Sequence, residues 1–276
     1  MIDPRQSQRK TALVTGASSG IGREFAREFA SHGYNLVLAA RTVDRLRELA
    51  TELEQRHGIT AIPIRTDLSE PNAPQELYSE VRKRRIDVDI LVNNAGFNVY
   101  GPFTQTNHTD ELRLLQVNLV ALVTLTKLLI PDMIERGFGR ILNLGSTGSF
   151  APAPFDSLYA ASKAFVLSFS EAIGEELKGT GVTVTTLCPG PTQTEFAERA
   201  GMGDVKIFSG RLMSAQKVAS IGYKAMIAGG TTVIVGLANR LQVWSMRFAP
   251  RSMVTKVAKG LMSRRRASLR ADAQRA

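Results

Sequence analysis

The chain has a single cysteine, Cys188, among 276 residues, so no internal disulfide can staple it and a small disulfide-held domain is excluded. Histidine is almost as scarce (His32, His57 and His108), and no Cys, His or carboxylate cluster has metal-ligand spacing, so no metal is expected. Long hydrophobic runs are missing too. The nearest, 119–130, is interrupted by Thr124, Thr126 and Lys127, short of the ~18 apolar residues of a membrane span. The first ten residues are polar and mixed in charge, without an apolar stretch, which gives the expectation of no signal peptide and a cytoplasmic protein. Acidic residues are lacking in one place. Residues 240–276 carry ten Lys/Arg against Asp272 alone, so nine of the ten net positive charges lie there. The rest of the chain is near neutral, and no nucleic acid is expected as a partner.

Apolar residues make up 43% of the chain, enough for a sizeable core. Short β-rich runs alternate with helical patterns. Strands are expected at 11–15, 35–40, 59–65, 89–92, 140–144, 182–187 and 232–235, and helices at 20–32, 43–57, 73–84, 109–136, 158–178 and 214–228. The strands are apolar without alternation, as in a parallel sheet buried on both faces. The expected fold is α/β: one doubly wound domain over residues 1–239 with about seven parallel strands, followed by a helical basic C-terminal extension over 240–276.

Between the first strand and helix stands Thr15-Gly16-Ala17-Ser18-Ser19-Gly20-Ile21-Gly22. Small residues let the backbone approach a pyrophosphate, and the following helix offers free N–H groups and the positive end of its dipole, the Rossmann-type arrangement. Gly16–Gly20 also matches G-x-S-x-G, which would make Ser18 the nucleophile of a serine hydrolase; that order needs a histidine late in the fold, and none follows His108. At the end of the second strand, where an acid would bind the ribose 2′-hydroxyl of NAD, Ala40 is followed by Arg41. A guanidinium there pairs with a 2′-phosphate, so NADP(H) is expected in preference to NAD(H).

Tyr159 and Lys163 lie four residues apart on one helix face, 13 residues after Ser146 at a strand end. A neighbouring ammonium, helped by the positive charge of an oxidised nicotinamide, stabilises phenolate, so Tyr159 is expected to titrate below its ordinary ~10 and exchange protons with an alcohol or carbonyl. Taken together and in order, Thr15–Gly22, Asn93-Asn94-Ala95-Gly96, Asn118, Ser146, Tyr159/Lys163 and Pro189–Thr194 resemble the short-chain dehydrogenase/reductase family over residues 11–236.

The resemblance implies that Ser146 holds the substrate oxygen, Tyr159 is the acid/base, and Lys163 tunes Tyr159 and binds the nicotinamide ribose. It also implies that Asn118 completes a water-linked proton relay with Lys163. Gly16, Ser18, Ser19, Gly20, Ile21, Gly22, Asn94, Ala95 and Gly96 would line the cofactor groove with Pro189 and Gly190. Asp67 would meet the adenine, and Thr192 and Thr194 the nicotinamide amide. One departure is Ser19, where NADP-preferring members often carry a basic residue.

The segments 97–103, 150–155 and 196–208 are expected around the substrate; they supply Phe97, Phe150, Phe155 and Phe196, which suits an apolar carbonyl or alcohol. The extension repeats apolar residues at helical spacing (Leu237, Leu241, Trp244, Phe248) among basic ones. That pattern reads as peripheral docking on an anionic membrane, or as packing on the body or a partner subunit. Apolar residues on more than one face of the helix 109–136 point to a homodimer or homotetramer. The expected function is NADP(H)-dependent alcohol–carbonyl interconversion. The alternatives are a catalytically idle dinucleotide-binding sensor or scaffold, and the Ser18 hydrolase.

Overall fold

The computed structural model describes residues 9–210 and 212–265. The chain alternates β1 (Thr11–Thr15), α1 (Gly20–Ser31), β2 (Asn35–Ala40), α2 (Val43–His57), β3 (Ala61–Arg65), α3 (Ala73–Lys83) and β4 (Ile90–Asn93). A continuous helical run follows, made of α4 (His108–Leu115), a π-helical turn (Gln116–Ala121) and α5 (Leu122–Glu135). Then come β5 (Gly139–Leu144), α6 (Ser157–Glu176) and β6 (Val182–Cys188). A short ribbon of β7 (Thr192–Gln193) and β8 (Met213–Ser214) brackets α7 (Phe196–Arg199). The order closes with α8 (Ala215–Ile227), β9 (Thr232–Ile234), α9 (Leu237–Met246) and α10 (Arg251–Leu261).

Seven strands form one parallel sheet in the order β3-β2-β1-β4-β5-β6-β9. Successive side chains of each strand serve opposite faces. On β1 and β2, Ala12, Val14, Leu36 and Leu38 join Phe25, Phe29, Leu49 and Met226 on one side, while Leu13, Val37 and Ala39 join Leu77, Leu125, Leu129 and Met133 on the other. Both faces are therefore dry, which is why the strands read as uninterrupted apolar runs. Pro63 sits in β3, an edge strand, where a missing N–H costs no ladder bond on the open side. From β1 the chain winds outward to β2 and β3, then crosses back to β4 and continues the other way. A crevice opens between β1 and β4 at their carboxyl ends.

Two details differ from the expectation. β3 begins at Ala61 because the Thr60 N–H is taken by the Asn35 side chain (3.0 Å). The long helix is not a regular α-helix throughout: its π turn carries Asn118 inward, against the backbone of Phe97. The run 108–135 is long and apolar enough to cross a membrane by length and composition, yet Leu114, Ala121, Leu125, Leu129 and Met133 are buried against the protein's own core.

Beneath the crevice lies a buried polar chain. Asn93 Nδ2 donates to Thr126 Oγ1 (3.0 Å) and Asn143 Oδ1 (2.9 Å), and Asn143 Nδ2 donates to Ser170 Oγ (2.8 Å). It ties β4 and β5 to the helices on one face. Asn143→Leu removes one of the two acceptors of the Asn93 amide and the donor to Ser170 Oγ, which keep only Thr126 Oγ1 and Val166 O as partners. It should cost about 1–3 kcal/mol of unfolding free energy, read from urea denaturation.

Candidate active site

The carboxyl ends of the strands open into a cavity of about 910 Å³. Its inner half is organised by Thr15, whose hydroxyl donates to Val92 O (3.1 Å) and accepts from Asn94 N and Ala95 N (3.0 Å each). Asn94 Nδ2 returns a bond to Thr15 O (2.9 Å). The glycine loop packs onto this knot. Gly16 has φ +67°, and a Cβ on Gly22 would lie 2.4 Å from both Asn94 Nδ2 and Gly16 O, so no larger residue fits that turn. The first turn of α1 contains no acid, and Ser19, its N-cap residue, makes no side-chain capping bond. The result is a glycine cradle at a helix N-terminus, open to the cavity through Gly16, Ser18, Ser19, Gly20 and Ile21, with the geometry to hold a dinucleotide pyrophosphate. Arg41 and Asp67 line the same groove at the ends of β2 and β3. Arg41 is exposed and has no partner among the described residues; Asp67 Oδ1 accepts from Ser69 N and Oγ.

Ser146 stands just past the end of β5 in extended backbone, its Oγ accepting from Gly148 N (3.0 Å). Tyr159 and Lys163 face the cavity one turn apart on α6, with Ser146 on the same wall. Lys163 is buried, with Nζ donating to Leu144 O at 2.7 Å and 5.5 Å from the centre of the Tyr159 ring. Burial pushes the phenol well above its ordinary range, and the Asp156 carboxyl adds to the effect against the pull of Ser146. In the protein alone desolvation therefore outweighs Lys163, and the charge of a bound oxidised nicotinamide is the part of the expected lowering that the chain itself does not supply. Desolvation also drives the Lys163 ammonium down to about 8, because burial disfavours whichever form carries charge.

The other expected cofactor contacts, Asn94, Ala95, Gly96, Pro189, Gly190, Thr192 and Thr194, also line the cavity, as do Phe97 and Phe196. Four residues do not. Gly22 is one layer below, packed on Asn94. Asn118 is buried behind Gly96, where it donates to Phe97 O and Ser162 Oγ and accepts from Phe97 N (3.2 Å each). A Cβ at Gly96 would meet Asn118 Oδ1 at 3.1 Å and Lys163 Nζ at 3.8 Å, so the three converge there. Phe150 lies in the short helical turn after Ser146 but outside the lining. Phe155 adopts φ +69°, which throws its ring outward onto Tyr100 (6.4 Å). Ser18 has no histidine to work with. Among the described residues none lines the cavity, and His32 is stacked on Tyr223 (4.2 Å) beyond the far end of α1.

The outer half of the cavity is built by segments that sequence reasoning left out. Met246 on α9, and Val254, Val257, Ala258 and Leu261 on and around α10, form an apolar wall. The end of the extension is pinned to the loop after α7 by Arg264 and Asp204 (2.7 Å), and to the segment after β4 by the bond from the Tyr100 hydroxyl to Met262 O. Asn98 and Asp156, both buried, are polar exceptions on the cavity wall. Their only signal in the sequence is polarity inside the aromatic-rich segments around Phe97 and Phe155.

A dinucleotide cradle beside a Ser–Tyr–Lys cluster defines an oxidoreductase of the doubly wound class. The chain belongs to the short chain dehydrogenase family, whose profile matches residues 10–203, a family that binds NAD(P). It is 39% identical over 193 residues to a short chain dehydrogenase of Pseudocercospora fijiensis, covering 69% of this chain and 62% of that protein. It is 41% identical over 187 residues to sulfoacetaldehyde reductase 2 of Chromohalobacter salexigens, covering 67% and 73%. A short-chain dehydrogenase from Sphingobium yanoikuyae, solved in complex with NADPH, superposes with a TM-score of 0.78 at 32% identity over 87% of this chain and 93% of that one.

Proposed function

We propose that the protein is an NADP(H)-dependent carbonyl reductase acting on apolar ketones or aldehydes and, in reverse, on their alcohols. The observation that carries this reading is the convergence of Ser146, Tyr159 and Lys163 between the glycine cradle and an apolar outer wall. A bound nicotinamide cofactor supplies the hydride. Ser146 Oγ is occupied as an acceptor by Gly148 N, which leaves its proton to hold the substrate oxygen. Tyr159 donates its proton to that oxygen as negative charge develops there. Lys163 keeps two N–H donors beyond its bond to Leu144 O for the phenol and the cofactor ribose, and Asn118 fixes the backbone of Phe97 behind them. Tyr159→Phe removes the donor and keeps the ring. Turnover of NADPH with a reducible ketone should fall ~100-fold or more, with NADPH binding retained in calorimetry; near-normal turnover overturns the assignment.

Arg41 supports NADP(H) over NAD(H), since a free guanidinium on the adenosine side of the groove meets a 2′-phosphate in a charge-assisted pair. Arg41→Ala should weaken NADPH by about 1–3 kcal/mol and leave NADH nearly unchanged; equal losses would make Arg41 a structural residue.

Two surfaces extend the proposal. Leu112, Val120 and Ile134 on the long helical run and Phe165 on α6 are exposed, which suits a homodimer or homotetramer paired through these helices. On α9 and just beyond it, Leu237, Leu241, Trp244 and Phe248 are 60–72% exposed, while Ser245 and Met246 turn to the cavity. Arg240, Arg247 and Arg251 stand near this stripe, and no acid occurs from 237 to 265. Arg266, Arg270 and Arg275 of the basic extension lie outside the described residues. Such an aromatic and basic face fits an anionic bilayer surface. Trp244→Asp with Phe248→Asp should abolish co-sedimentation with phosphatidylglycerol vesicles and leave the oligomer unchanged in gel filtration; unaltered sedimentation refutes the membrane contact.

A further inference from the structure

Two buried side chains on the cavity wall have chemistry that the hydride-transfer reading does not use. Asn98 follows Phe97 in the segment after β4, and Asp156 is the residue before α6; both line the cavity and both are less than a tenth exposed. Asp156 stands at the helix N-cap position yet makes no capping bond, and its Oδ1 has no hydrogen-bond partner among the described residues. The Asn98 amide donates to Met202 Sδ at 3.1 Å, and its Oδ1 is also without a partner. Two orphaned acceptors side by side in a buried wall are unfavourable for the protein alone, and a ligand that brings the missing donor removes the penalty. Burial pushes the Asp156 carboxyl up to about 7 against a smaller opposing pull from the adjacent Asn98 side chain, and no cation is among the groups acting on it.

Position fixes where that donor belongs. Asp156 precedes Tyr159 by three residues, so it lies about 4.5 Å back along the helix axis and on a shared face. A group bound there stands a few covalent bonds from an oxygen held by Ser146 and Tyr159. A neutral donor meets these buried oxygens without a second charge having to be desolvated. A hydroxyl donates to the carboxylate and accepts from the carboxylic acid, whereas an ammonium fits the carboxylate alone.

We propose that Asn98 and Asp156 form a subsite for a substrate hydroxyl, so that the preferred substrate is an otherwise apolar ketone with a hydroxyl a few bonds from its carbonyl. The inference rests on the reductase reading and assigns the substrate class of the same site. In this arrangement Asn98 and Asp156 determine specificity; neither exchanges the transferred proton, and Asp156 bears on it only through the charge it places near Tyr159.

The test compares propiophenone, 3-hydroxy-1-phenylpropan-1-one and its 3-amino analogue as substrates of the full-length enzyme with NADPH. The hydroxyketone should exceed propiophenone in kcat/KM by about tenfold or more, mostly through KM, because an unmet polar site penalises the analogue that lacks the donor. Asp156→Leu should bring that ratio close to one, since any effect of the lost carboxyl on the Tyr159 phenol falls on both ketones alike and cancels in the ratio. Asn98→Leu is an independent variant should the first not fold. Equal kcat/KM for the two ketones in the unmodified enzyme, or an unchanged ratio in both variants, overturns the subsite and leaves the reductase reading standing on propiophenone turnover. A preference for the amino analogue overturns the hydroxyl assignment. If no probe is turned over, the reductase reading has failed on these ketones. Calorimetric affinities of the NADP-loaded protein for the two ketones then decide the subsite by the same ratio.

Discussion

The hydroxyl of Thr15 is the point on which the cofactor side of this protein depends. Its three hydrogen bonds lock the end of β1 to the end of β4, the two strands between which the sheet changes its direction of winding. With that junction closed, Asn94 is held against Thr15 O, and the glycine loop has only the space that glycine can use. The α1 N-terminus is left facing the crevice with its N–H groups uncommitted. A phosphate cradle is thus the by-product of satisfying buried polar groups at a strand junction.

Deeper in the molecule the same rule produces a different outcome. Asn93, Asn143, Thr126 and Ser170 saturate one another and are structural. One layer nearer the surface, Ser146, Tyr159 and Lys163 are desolvated without being saturated. Burial raises the phenol and lowers the ammonium, so both groups are drawn toward their neutral forms. The neighbouring Asp156 works in the same direction, because a second negative charge in this pocket is costly.

The extension gives the cavity its chemical character. The inner, polar half is made by strand ends and the glycine loop, and the outer half by α9, α10 and the loop after α7. The apolar side chains of these two helices are divided between the cavity and the outside, so one short segment both closes the site and presents an aromatic, basic surface. Arg264 and Asp204 hold its end in place.

Periodicity and turn residues by themselves determined the sheet, the helices around it and the glycine loop, because a strand buried on both faces and a helix buried on one leave patterns that act within a few residues. The motif residues Ser146, Tyr159 and Lys163 were legible for the same reason: each sits at a fixed place on one element. What the tertiary structure decided were the matters that depend on residues far apart in the chain. Phe155 follows its positive φ onto Tyr100 and away from the cavity, and a π turn faces Asn118 toward Phe97. The extension, a separate basic pattern in the sequence, becomes a wall of the site. Desolvation, which exists only when distant segments close over a group, raises the Tyr159 phenol in the protein alone and leaves Asn98 and Asp156 each with an oxygen that no described residue satisfies.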